Sequence, residues 1–198
     1  FNNGELNIPY AFIRGQKLDL KFNQMFLSVL DVKNFDRLPI PYRAVATDLE
    51  TGKEIVLSSG SLPKAIRASM AVPAAFDPVE IDGRLLVDGG MANNVPISVA
   101  RAMGAEVFIV VDVGEGLSSR EEIKSALGVS GQLAGYLFTL NTEAQLKTLS
   151  NRDVLIRPQL GDISGASFNR VEEAFPLGEA SARAEHDALQ RYSLSEAQ

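Results

Sequence analysis

The chain has 198 residues, 45% of them apolar, with a formal charge of −6, one histidine and no cysteine. This length and composition suit one globular domain, or most of a larger one. The acidic balance excludes the cation surplus that phosphate backbones or anionic lipid surfaces require, and the missing cysteines exclude disulfides, thiolate nucleophiles and thiolate metal sites.

Apolar residues at Leu18, Phe22, Phe26, Leu27 and Leu30 recur near helical spacing and predict a helix within 13–30. Beyond Pro39 and Pro41, Tyr42 to Thr47 reads as a strand. Asp48 to Lys53 is a turn and Glu54 to Ser58 the return strand of a hairpin. Ser61 is placed to cap a helix that has Pro63 in its first turn and runs to about Met70, before Pro73. A second hairpin joins Val79–Ile81 to Arg84–Val87 through Asp82-Gly83. Pro96 opens a helix through Ala102 that Gly104 closes.

The run Val107 to Val111 is continuously apolar and predicts a strand buried on both faces of a parallel sheet. With the preceding strand and helix it would form a β-α-β unit over residues 85–111. Ser118 or Ser119 would cap a helical region reaching Ser150, interrupted by Gly128, Gly131 and Gly135, with Leu133, Leu137, Leu140 and Ala144 as its apolar stripe. Val154 to Arg157 is the last predicted strand. An amphipathic helix follows from about Phe168 to Tyr192, broken or kinked at Pro176. Residues 193–198 are polar and read as the start of a linker. No apolar run approaches the roughly 20 residues of a membrane span. The opening Phe1-Asn-Asn-Gly4 has no initiator Met and reads as an internal segment of a longer product.

The segment from Ala68 to Pro96 carries the chemistry. Asp88 ends a short apolar strand and is followed by Gly89, Gly90, Asn93, Asn94 and the helix-opening Pro96. Strand carboxyl ends are where open α/β sheets place ligand sites. Backbone without Cβ lets another group approach the carboxylate closely, as a general base requires. The competing reading of Asp88-Gly89 is a plain turn, as at Asp82-Gly83. Asn93 and Asn94 read first as helix-capping and loop-fixing groups, and second as supports of the Asp88 loop.

Other candidates are weaker. Asp112 also ends an apolar strand; it reads as a turn cap, or with Asp88 as a two-carboxylate cation site. His186 lies between Glu185 and Asp187 on a charged face and reads as a solvated surface residue, not a triad member. Ser130 lacks the glycine spacing and preceding strand of a nucleophile elbow. Ile8, Tyr10, Phe12 and Ile13 are core residues or a lipid-facing lid.

The Asp88-Gly89-Gly90 motif, the upstream Ala68-Ser69-Met70-Ala71-Val72-Pro73 and the downstream Asn94-Val95-Pro96 resemble the patatin-like phospholipases, chiefly bacterial ones. The resemblance extends over Gly15 to Leu18, Phe35 to Pro39, Arg43 to Asp48, Val107 to Gly114 and Asp153 to Pro158. It implies an α/β fold whose largely parallel central sheet is wrapped by helices, with residues 1–192 as the later part of one such domain. It also implies lipid ester hydrolysis by a Ser–Asp dyad in which Asp88 is the base, Gly89, Gly90, Asn93 and Asn94 form the active-site loop, and no metal or cofactor takes part. The implied partners are a phospholipid or other lipid ester, transient membrane contact, and the earlier part of the domain, but no nucleic acid. A secreted or outer-membrane-associated location is expected. This chain has no G-x-S-x-G and no glycine-rich oxyanion loop. The alternative is a patatin-fold binding or assembly domain without catalysis.

Overall fold

The computed structural model describes residues 11–13, 15–114, 116–121, 123–165 and 167–193. Ile8 and Tyr10 of the expected lid, and the linker residues 194–198, lie outside these.

The largest sheet has four strands in the order β3 (Glu54–Leu57), β2 (Ala44–Asp48), β6 (Arg84–Asp88), β5 (Val79–Ile81), all antiparallel. Its two hairpins follow from local turn chemistry. Asp48 Oδ1 accepts from the backbone N–H of Glu50 at 3.0 Å and Thr51 at 3.2 Å, and Gly52 takes φ 68°. Asp82 and Gly83 have φ 51° and 73°, the left-handed pair that matches the twist of a tight hairpin.

Strand β2 is central and buried at all five positions. Helix α2 (Leu62–Ser69) packs on this sheet, with Ser61 Oγ accepting from Lys64 N as its cap. Leu62, Ala65 and Ala68 of α2 join Phe35, Ala44, Ala46, Leu57 and Leu86 in the main core. Ala44 and Ala46 are small enough to let the helix lie close to the strand.

Helix α1 (Gln16–Met25) is tied to α2 through Arg67, which is buried with its guanidinium 5.0 Å above the Phe76 ring. Arg67 Nη2 donates to the Asp77 carbonyl at 3.3 Å, and Nε lies 3.7 Å from Asp19 Oδ1. A Cβ at Gly15 would come within 2.5 Å of that guanidinium, so glycine is needed there for room.

Two parallel pairs complete the strands: β1 (Ala11–Ile13) with β4 (Ala74–Phe76), and β7 (Ile109–Val111) with β8 (Val154–Ile156). After β6 come α3 (Gly90–Asn93) and α4 (Ile97–Ala102), and Ile97 packs with Phe108 and Val110 in a second, smaller core. Helices α5 (Ala126–Leu146), α6 (Val171–Ala184) and α7 (His186–Gln190) follow. Among the described residues no helix is long and apolar enough to cross a membrane.

The fold is α/β as expected, but a largely parallel central sheet is not what these residues form. The four-stranded sheet is antiparallel because both of its hairpins close through turns too short for a crossover. The expected β-α-β unit over 85–111 is absent for a related reason. Both edges of β6 are occupied, by β2 and β5, so β7 pairs with β8 instead. Phe108 and Val110 are buried while Ile109 and Val111 are more than half exposed, so the run is covered on one face only.

Helix α5 begins at a Ser125 cap, whose Oγ accepts from Gly128 N at 3.0 Å, rather than at Ser118 or Ser119. It runs unbroken through Gly128, Gly131 and Gly135, since 21 residues outweigh about 1 kcal/mol per glycine. Its Leu133, Leu137 and Leu140 face outward. Pro176 sits inside a continuous α6, freeing only the carbonyl of the exposed Glu172, and the break comes at Glu185 instead.

Candidate functional site

Asp88 is positioned by its backbone on three sides. It pairs in register with Ala46 of β2, its N–H donates to the Ala71 carbonyl at 3.0 Å, and its carbonyl accepts from Thr47 Oγ1 at 2.8 Å. The preceding Leu86 and Val87 are fully buried, which fixes the strand's end. Its Oδ1 accepts from the Gly90 N–H at 2.8 Å, and Oδ2 accepts no hydrogen bond among the described residues. Burial raises the Asp88 carboxyl to about 6, against the lowering effect of the Gly90 N–H. The result is a carboxylate with one oxygen held, one available, and a proton affinity close to neutral pH.

The two glycines after Asp88 answer to crowding, not to unusual backbone angles. Gly89 has φ −67°, which any residue tolerates, but a Cβ there would collide with the Val45 backbone carbonyl. A Cβ on Gly90 would lie 2.8 Å from the Phe138 ring of α5 and 3.0 Å from Asn94 Oδ1. The chain can therefore turn directly from strand to helix against both β2 and α5.

Asn93 and Asn94 do not cap α4 with their side chains. Asn93 Nδ2 donates to Ser98 Oγ at 3.1 Å, and Asn94 Nδ2 donates to Thr142 Oγ1 at 2.8 Å. Asn93 is buried, and its Oδ1 has no hydrogen-bond partner among the described residues. Next to them Val95 holds φ 50°, a strained conformation for a β-branched residue, of the kind that persists only where surrounding structure imposes it. Asn141 Nδ2 donates to the carbonyls of Gly90 at 3.0 Å and Met91 at 2.8 Å.

Sequence reasoning missed Thr47, Phe138, Asn141 and Thr142, all of which touch this loop. The available signal was the Asn141-Thr142 pair directly after the largely apolar run Leu133–Leu140.

The other candidates lie elsewhere. Asp112 Oδ1 accepts from Gly114 N at 3.1 Å, closing the next turn, and Oδ2 pairs with Arg157 Nε at 3.0 Å. Among the described residues no cluster of three His, Asp or Glu side chains is arranged to hold a metal ion. His186 is exposed at the start of α7, and Ser130 is exposed within α5. The backbone of Phe12 and Ile13 belongs to β1.

Residues 7–101 match the family model described as patatin-like phospholipase, a stretch that includes Asp88, Gly89, Gly90, Asn93 and Asn94. An uncharacterised NTE family protein of Mycobacterium tuberculosis is 46% identical over 78 residues, covering 39% of this chain and 22% of that protein. The mouse patatin-like phospholipase domain-containing protein 7 is 40% identical over 103 residues, 51% of this chain and 7% of that one. The human patatin-like phospholipase domain-containing protein 6 is 40% identical over 95 residues, 47% of this chain and 7% of its own length. The chain thus spans less than a quarter of the length of the curated relatives it matches.

Proposed function

We propose that this chain, whose residues 7–101 match the patatin-like phospholipase family model, carries in Asp88 the general base of a lipid acyl hydrolase. Its partner nucleophile is a serine outside these 198 residues, where the earlier part of the same domain would lie. The observation that carries the reading is the half-buried carboxylate at the end of β6, with Oδ1 on the Gly90 N–H and Oδ2 available.

In the proposed reaction the serine hydroxyl attacks the ester carbonyl while Asp88 Oδ2 takes its proton. Backbone N–H groups supplied with the serine stabilise the oxyanion. The tetrahedral adduct collapses, the C–O bond to the alcohol breaks, and Asp88 returns the proton to the departing alkoxide. A water then gives its proton to Asp88 and attacks the acyl-serine; as the serine–acyl bond breaks, Asp88 passes that proton to the serine oxygen, releasing the fatty acid and restoring both the serine hydroxyl and the carboxylate. An ordinary carboxylate is too weak a base for this at neutral pH, and burial of Asp88 corrects that in part. Phospholipids are the proposed substrate class, with membrane contact through apolar surface rather than through cations, given the charge of −6. A secreted or outer-membrane-associated setting suits such a substrate.

Hydrolysis of phospholipid or an activated acyl ester by the complete protein tests the reading. Asp88→Asn is nearly isosteric, can still accept from Gly90 N–H, and cannot take the serine's proton. It is expected to lower turnover by roughly 10²–10⁴-fold. Asp82→Asn keeps the same hairpin turn, and Asp112→Asn keeps an acceptor for Gly114 N–H while removing an ion pair whose Arg157 side chain is more than half exposed, so both should retain activity within a few-fold. Wild-type turnover by Asp88→Asn would remove the assignment. The isolated chain is expected to hydrolyse nothing above background.

A further inference from the structure

Resting on the reading of Asp88 as the base, we propose that Asn141 is a positioning residue for it. The Asn141 carboxamide, reaching from α5, fixes the turn whose Gly90 N–H holds Asp88 Oδ1 and thereby aims Oδ2 at the substrate side.

Helix α3 is a single turn of 4 residues, and Asn94 after it is extended, with φ −80° and ψ 147°. Carbonyls at the end of so short a helix lack donors from their own helix. Asn141 supplies them from 51 residues away, one amide nitrogen serving Gly90 O at 3.0 Å and Met91 O at 2.8 Å. Both hydrogens of the amide are used, and the group is neutral, so it adds no charge beside the carboxylate. An Arg or Lys there would draw Asp88 into an ion pair and depress its basicity.

The need for such a support follows from Gly90 itself. It carries the N–H that orients Asp88, it has no side chain to pack, and glycine backbone is intrinsically free. Helix α5 grips the turn that contains it through three residues. The Phe138 ring fills the space a Cβ would take, Asn141 holds the Gly90 and Met91 carbonyls, and Thr142 holds Asn94 at the far end of the turn. With Asn141 removed, Gly90 is free to rotate, the hydrogen bond to Oδ1 loosens, and the carboxylate samples orientations in which Oδ2 does not face the serine.

The test is a double-mutant cycle in the complete protein, using hydrolysis of a p-nitrophenyl acyl ester and urea unfolding of each variant. Asn141→Ala is expected to lower kcat by about 10–100-fold with KM changed less than twofold, the scale of a small misplacement of a reacting group. In the Asp88→Asn background the same change should cost nothing further, because the group it positions is already gone. A residue that only packs would cost the same in both backgrounds, and that result would overturn the proposal. So would an Asn141→Ala kcat within twofold of wild type. Asn141→Ser serves if Asn141→Ala does not fold, and loss of cooperative unfolding in both would mark Asn141 as a folding residue only, again overturning it. Wild-type turnover by Asp88→Asn removes the base reading together with this one. An inactive Asp88→Asn beside a fully active Asn141→Ala removes this one alone.

Discussion

Burial of Asp88 sets how both activity and stability answer to pH, and the two responses run in opposite directions. The folded carboxyl lies at about 6 and the unperturbed one at 3.8. Below the unfolded value, folded and unfolded chains both hold the proton and Asp88 carries no charge to bury. As pH rises through about 6 the folded chain must ionise it in a poorly solvated place, and stability is lost. The displacement corresponds to about 3 kcal/mol once both states are ionised. Asp88→Asn should therefore stabilise the complete protein by roughly 2–3 kcal/mol at pH 8 and by almost nothing at pH 4, read from urea unfolding at the two pH values. Over the same range kcat/KM of the wild type should fall as pH drops below about 6, because the protonated carboxyl cannot act as a base. A substitution that abolishes turnover while raising stability is the mark of a group held in place for chemistry. An Asp88→Asn protein less stable than wild type at pH 8 would mean that the carboxylate is structural.

At the scale of elements, the site depends on one strand-to-helix turn being squeezed between β2 and α5. The two glycines in that turn face different neighbours, so they should differ in tolerance. Gly89→Ala drives a Cβ into the backbone of Val45, and a central, fully buried strand cannot move aside cheaply. Gly90→Ala meets the edge of the Phe138 ring, which can rotate. Gly89→Ala is expected to cost about 3 kcal/mol or more and Gly90→Ala about 1 kcal/mol, measured by urea unfolding. Equal costs would show that α5 is as rigid a wall as β2.

The same turn shows what was legible in the sequence and what was not. Both hairpins, the Ser61 cap and the strand-end place of Asp88 rest on neighbours a few residues apart, so short-range turn and capping chemistry reveals them. The pairing of Asp88 with Ala46, the Gly89 contact with Val45 and the reach of Asn141 to Gly90 join residues more than forty positions apart. Nothing in local composition encodes such pairings. The apolar run at Val107–Val111 was legible as a strand, but not its partner, because hydrophobic pattern fixes which side is buried and not which strand lies alongside. The glycines of α5 were misleading for the opposite reason. A local weakness in helix propensity was outweighed by the length and capping of the whole helix.

For the molecule as a whole, the surface is the dominant feature. The chain exposes 13547 Å², whereas a compact monomer of its 21.4 kDa would expose about 9,100 Å². Among the described residues, large apolar side chains contribute to this exposed surface. On α5, Val129, Leu133, Tyr136, Leu137 and Leu140 are 39–62% exposed, while the opposite side of that helix carries the Phe138, Asn141 and Thr142 contacts to the site. Ile109 and Val111 of β7 are 55% and 54% exposed, on a strand that among the described residues pairs only with β8. Contiguous apolar faces and unpaired strand edges of this kind promote association in water. The isolated chain is therefore expected to self-associate at micromolar concentration in sedimentation and to bind a hydrophobic dye. Leu133→Lys with Leu140→Lys should reduce both signals, since each places a cation on an already solvated side of α5. If, as proposed, an earlier part of the domain packs on this face of α5, the same pair of substitutions in the complete protein should instead lower stability by several kcal/mol, because each lysine would then be buried without a partner. Unchanged stability of the complete protein would mean that this face stays open to solvent, and that α5 is braced only through the side that holds the Asp88 turn.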